Sequence, residues 1–176
     1  LRVIAIVAVI QPLLLPLVAP AMALATLAAV GYAVIAVQWA IGGGESDRAP
    51  PTEFTNPFSF WPVVGFAVLL GVVMVASRLI GDTFGTGAAL LGAAGVGLAD
   101  VDSVAIAMVR LVPAPLSEVG AASAILAAVA SNMLSKLTIA ASVGRGRFAG
   151  EVAAMTVGSW LAGGLGFWGA LALGAL

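Results

Sequence analysis

The sequence predicts an all-α fold, a polytopic membrane helix bundle of about six spans, each needing ~20 apolar residues. Of its 176 residues, 62% are hydrophobic and only 9% are charged, whereas about 25% are charged in a typical soluble domain. The mean hydropathy is +1.17. A soluble fold of this size leaves about a third of its surface in water, so it could not hide this much apolar surface. The predicted surroundings are therefore a lipid bilayer.

The composition also excludes several classes of function. Seven Lys and Arg against eight Asp and Glu leave no basic field for a nucleic-acid partner. The chain has no Cys and no His, which excludes disulfides, Cys or His zinc sites and His-based catalytic triads. An intramembrane aspartyl protease needs two aspartates that share a proton from separate helices, and no such pair is evident. We therefore predict that the protein is not an enzyme.

Six apolar segments are separated by short polar or Pro- and Gly-containing stretches. Asn56-Pro57 is a favourable helix start, with Asn as N-cap and Pro at the first helical position. The first segment is interrupted at Gln11-Pro12 and at Pro16. The predicted segments are residues 1–17, 19–41, 57–80, 86–112, 117–143 and 149–173.

Two loops set the predicted orientation. Residues 42–56 carry three acids and one base, and Trp39 and Trp61 flank them as in an aromatic belt. Arg145 and Arg147 form a short basic loop. The positive-inside rule places the second loop in the cytoplasm and the first outside. The expected location is a multi-pass protein of the inner, or cytoplasmic, membrane.

The apolar run starts at Leu1-Arg2-Val3 with no signal-peptide pattern. We therefore expect a single integral membrane domain over residues 1–176 that is a fragment of a longer one. A missing N-terminal repeat, a partner chain or a second copy would complete it.

Residues 95–103, Gly-Val-Gly-Leu-Ala-Asp-Val-Asp-Ser, are the most informative stretch, because they place Asp100 and Asp102 inside an apolar span. An ionised Asp at that depth costs ~2.5–3.5 kcal/mol on insertion scales. Gly95 and Gly97 predict a broken helix near Gly97–Ser103, a device by which transporters line a cavity. The two carboxylates and Ser103 would then bind a cation or proton, with Asp100 and Asp102 as candidate metal ligands. The alternative is that Asp100 or Asp102 only caps the second half-helix.

A second polar cluster occupies the fifth segment. Asn132 and Lys136 are four residues apart and share a helix face, as do Ser131 and Ser135. Lys136 lies too deep to reach the interface easily, so we expect it to be a counter-ion to Asp100 or Asp102. The alternative for Ser131 and Asn132 is hydrogen bonding between helices.

These motifs resemble a known family. Asn56-Pro57-Phe58-Ser59, then Gly97-Leu98-Ala99-Asp100-Val101-Asp102, then Ser131-Asn132 and Lys136, match in order and spacing over about residues 56–146. The family is a bacterial membrane domain of unknown function found C-terminal to MgtC/SapB-type domains, and the chain resembles its C-terminal part. The resemblance implies magnesium homeostasis or transport.

The resemblance also implies an internal repeat in which Arg2 corresponds to Lys136. The repeats would be parallel if every span crosses the membrane, and inverted if the broken fourth element is re-entrant.

The sequence thus favours a transporter or channel-like protein for an ion or small solute, with Mg²⁺ or protons as candidates and no cofactor beyond a bound cation. The alternative is a non-transporting membrane partner or regulatory subunit, which would pack through its Gly-rich helices.

Overall fold

The computed structural model describes residues 2–42, 64, 68, 85–143 and 147–174. Regular secondary structure in these residues is helical throughout, which confirms the predicted all-α class. The predicted span over residues 57–80 and most of the loop over residues 42–56 lie outside the described residues. The helices are α1 (Arg2–Ile10), α2 (Leu15–Gly42), α3 (Gly85–Gly97), α4 (Val101–Arg110), α5 (Glu118–Val143) and α6 (Arg147–Ala172).

Two stretches of the described chain are long and apolar enough to cross a membrane, Pro12–Trp39 and Glu118–Ala140. In each, 22% of the most apolar window is buried within the protein. Pro12–Trp39 exposes several large apolar side chains, among them Leu24, Leu27 and Val30, whereas most residues of Glu118–Ala140 are half-buried or buried. Helix α6 has 26 residues and is long enough to cross a membrane, but its six glycines and two tryptophans lower its mean hydropathy. The bundle of six spans therefore stays a prediction.

The first apolar segment is not one helix. Helix α1 has nine residues from Arg2 to Ile10, about 14 Å at 1.5 Å per residue. It ends before Pro12, which has no N–H to donate. A 3₁₀ turn over Pro12–Leu14 then leads into α2.

The most extensive contacts are those of α2 with α6 and of α3 with α5; α1 with α4, α5 with α6 and α4 with α5 make smaller ones. The α2–α6 contact needs glycine, because a Cβ atom on Gly166 would lie 2.7 Å from the Pro20 carbonyl oxygen. At Gly166, a small residue thus lets the two helix backbones approach closely, as small residues do between membrane helices. The short helices α1 and α4 share one buried core with the start of α2 and with α5, formed by Val3, Val7, Leu14, Leu17, Val18, Ala105, Val109 and Ile125 among others.

Candidate functional site

The chain breaks between α3 and α4, where the sequence predicts it. Helix α3 ends at Gly97, and the N–H groups of Ala99 and Asp100 each donate to the Val96 carbonyl at 3.0 Å. Asp100 then takes an extended conformation as the N-cap of α4. Gly95 lies within the last turns of α3, so the break follows Gly97.

The Asp100 carboxylate is committed to the first turn of α4. Its Oδ1 accepts hydrogen bonds from the Asp102 N–H at 2.9 Å and the Ser103 N–H at 3.3 Å. Its Oδ2 accepts from the Ser103 hydroxyl. Two N–H groups that an α-helix start leaves without partners are thereby satisfied. The hydrogen bonds of Asp100 and Ser103 are therefore explained by the N-cap of α4.

Asp102 makes a different contact. Its Oδ2 lies 2.5 Å from Nη2 of Arg2, and the Asp102 side chain is 26% exposed while that of Arg2 is 87% exposed. The ion pair joins the first turn of α1 to the first turn of α4. Sequence reasoning left Arg2 out of the site, although it is the single charge in the first 44 residues.

A cleft of about 620 Å³ lies beside this ion pair. Met22 of α2 and Val129 and Met133 of α5 form part of its apolar wall. Its polar lining comes from three helices and the break between α3 and α4, and consists of Arg2, Asp100, Asp102, Asn132 and Lys136.

The structure therefore brings together four of the predicted site residues, Asp100, Asp102, Asn132 and Lys136. The predicted shared face of Asn132 and Lys136 is confirmed, since both line the cleft. The expected pairing of Lys136 with a carboxylate is not seen, because the ion pair of Asp102 is with Arg2.

Ser131 does not line the cleft. Its hydroxyl donates to the carbonyl of Ala128 in its own helix at 2.9 Å. It therefore has a local role in α5, and no contact between helices is seen for its hydroxyl.

The model of a family described as a domain of unknown function (DUF4010) matches residues 1–144 of the chain. The chain belongs to this family. No curated protein and no solved structure matches it. The DUF4010 match confirms the predicted resemblance to a domain of unknown function.

All five polar residues of the cleft lie within the DUF4010 match, whereas α6, from Arg147 to Ala172, lies beyond it. The candidate site is thus a feature of the DUF4010 part of the chain.

The DUF4010 site is a poor match to a dedicated metal centre. Within the described residues, no group of three or more His, Cys, Asp or Glu side chains could hold a metal ion. Asp100 and Asp102 are the two candidate ligands, and each already accepts hydrogen bonds or an ion pair. A cation would have to compete with Arg2 for Asp102.

Proposed function

We propose that the protein is a multi-pass inner-membrane transporter or channel-like protein for an ion or small solute, with the cleft as its binding site. One observation carries the proposal. A chain with only 9% charged residues collects Arg2, Asp100, Asp102 and Lys136 around one cleft beside a broken helix.

The cost of ionisable groups in lipid supports this function. Such residues within spanning segments are rare and usually mark ion or solute paths. Lys136 lies seven residues before the end of α5 at Val143, about 10 Å along the helix at 1.5 Å per residue. The break between α3 and α4 next to it is the kind of interruption that lines transporter cavities.

Magnesium ions and protons are the first species to test. Mg²⁺ prefers oxygen ligands and keeps several waters, so Asp102 and the Asn132 amide oxygen would suffice for a hydrated ion that displaces Arg2. The MgtC/SapB association of the resembling domain points to the same ion.

The alternative, a regulatory partner that docks through its glycines, has less support. A Cβ on Gly97 would lie 2.5 Å from Cα of Ala128, and one on Gly166 would lie 2.7 Å from the Pro20 carbonyl oxygen. These two glycines serve contacts inside the chain. The glycines of α6 that are open to an external partner, with nothing within 4 Å of a Cβ, are Gly150, Gly158, Gly164 and Gly169.

The test is flux through purified full-length protein reconstituted into lipid vesicles. Internal indicators report Mg²⁺ and pH, and radiolabelled pyruvate reports a small organic anion. We expect protein-dependent flux of at least one probe, changed at least about tenfold by Lys136→Gln, because the substitution removes one of the four charges that line the cleft. Arg110→Gln is the matched control, since Arg110 is exposed at the far end of α4 and outside the cleft.

Two results would contradict the proposal. The absence of protein-dependent flux for all three probes would favour the regulatory partner. Flux that is unchanged in Lys136→Gln would show that the cleft is not the path.

A further inference from the structure

The acidic and basic side chains of the cleft differ in how many of their hydrogen-bonding groups already have partners within the protein. This difference indicates which kind of ligand the cleft can bind. Asp100 accepts three hydrogen bonds from the start of α4. Asp102 accepts from Arg2 at 2.5 Å. Both carboxylates therefore have partners within the protein.

The cationic groups retain unused hydrogen-bond donors. A guanidinium has five N–H donors and an ammonium has three, and neither can accept. Arg2 makes one ion-pair contact and is 87% exposed. Lys136 is exposed, lines the cleft and has no hydrogen-bond or ion-pair partner among the described residues. The cleft therefore offers a ligand mainly hydrogen-bond donors and positive charge.

The group bound to Arg2 indicates the chemistry that the cleft can bind. It is the carboxylate of Asp102, and a guanidinium binds a carboxylate through a planar fork of N–H groups. Beside it, Val3, Met22 and Met133 offer an apolar surface for a short hydrocarbon body. Asn132 adds an amide that can donate or accept.

We propose that the cleft binds a small carboxylate anion between Arg2 and Lys136, and that Asp102 occupies Arg2 when the anion is absent. This inference rests on the proposed function and names its substrate class. Asp102 then competes with the substrate for the guanidinium. The cleft is formally neutral without the anion, with Arg2 and Lys136 balancing Asp100 and Asp102.

An anion site and a cation site predict opposite effects of Asp102→Asn on ligand affinity. Asp102→Asn removes the competing charge and leaves Arg2 free, so an anion should bind more tightly. The same substitution removes one of the two carboxylates of the cleft, the one that does not cap α4, so a cation should bind more weakly. Its effect on affinity therefore distinguishes the two classes.

The experiment measures equilibrium binding of radiolabelled pyruvate to the purified full-length protein in detergent, and its flux in vesicles. Pyruvamide, the neutral amide of similar shape, is the competitor that tests for charge. We expect pyruvate to bind, and pyruvamide to compete poorly. Lys136→Gln should weaken pyruvate binding about tenfold or more, and Asp102→Asn should tighten it by about the same factor, as expected for closely paired charges. Lys136→Arg should restore most of the binding lost in Lys136→Gln, because it keeps the charge.

Several outcomes separate this inference from the proposed function. Mg²⁺ or proton flux without pyruvate binding would overturn the inference and leave the transport function standing. Pyruvate binding without flux of any probe would support the inference and contradict transport. Pyruvate binding weakened by Asp102→Asn, or competition by pyruvamide equal to that by pyruvate, would overturn the anion site.

Discussion

Asp100 illustrates how one residue can satisfy two interpretations of a sequence. It lies at the break and borders the cleft, as expected of a transport residue. Its oxygens, however, accept from Ser103 and from the N–H of Asp102. The carboxylate first of all stabilises the start of α4.

Substitution at Asp100 separates the cap from the charge. Asp100→Ala should destabilise the protein by about 1 kcal/mol because the helix start loses its acceptor, whereas Asn is an equally favoured N-cap. Asp100→Asn is the matched control, and thermal unfolding in detergent is the measurement. An equal loss of stability for Ala and Asn would mean that α4 needs the negative charge rather than the cap.

The sequence predicted the acidic side of the site better than its basic side. Asp100, Asp102, Asn132 and Lys136 were all recognisable as polar residues inside apolar segments. The partner of Asp102 was not predictable, because Arg2 lies about 100 residues away in the chain. Which cation reaches a carboxylate depends on how helices pack, and periodicity along one helix carries no such information.

At the scale of helices, the contact between α3 and α5 depends on Gly97. A Cβ there would lie 2.5 Å from Cα and 2.7 Å from the carbonyl oxygen of Ala128, which are both backbone atoms that cannot rotate away. The end of α3, and hence the position of the break, is set by this close approach.

Gly97→Ala should force α3 away from α5 and destabilise the protein by about 1–3 kcal/mol, the usual cost of overpacking. Gly87→Ala is the control on the same helix, since a Cβ on Gly87 would meet nothing within 4 Å. Thermal unfolding of both variants in detergent measures the difference. A Gly97→Ala protein as stable as Gly87→Ala would mean that the two helices do not pack this closely.

Helix ends were predicted well where capping and polar residues mark them. The segment predicted at 117–143 is helix Glu118–Val143, and that predicted at 149–173 is Arg147–Ala172. In the first segment, the interruption at Gln11-Pro12 predicted the end of α1 at Ile10. The start of α2 at Leu15 was not predicted, because Pro16 also looks like an interruption, whereas a helix tolerates proline in its first turn.

At the scale of the whole molecule, the described surfaces of α2 and α6 are largely apolar. Helices α2 and α6 expose a series of large hydrophobic side chains, among them Leu27, Val30, Val34, Leu161 and Leu165. Trp39, near the end of α2, is 73% exposed, as expected for an aromatic residue at a membrane interface. A surface of this kind suits lipid, and in water it would promote association.

The predicted orientation can be tested with introduced cysteines, because the natural chain has none. Asp47→Cys should react with a membrane-impermeant thiol reagent added to the extracytoplasmic side. Arg145→Cys should react only after the membrane is opened, as the positive-inside rule requires. Both positions lie outside the described residues. Labelling of both from the same side would contradict an odd number of spans between them.

The pairing of α1 with α4 also sets an order of assembly. Val3 and Val7 share their core with Ala105 and Val109, so α1 reaches its final neighbours only after α4 has been made. At ~5–20 residues per second, roughly 100 residues of synthesis take about 5–20 s. During that interval, Arg2 has no Asp102 to bind, so water or another partner has to balance its charge.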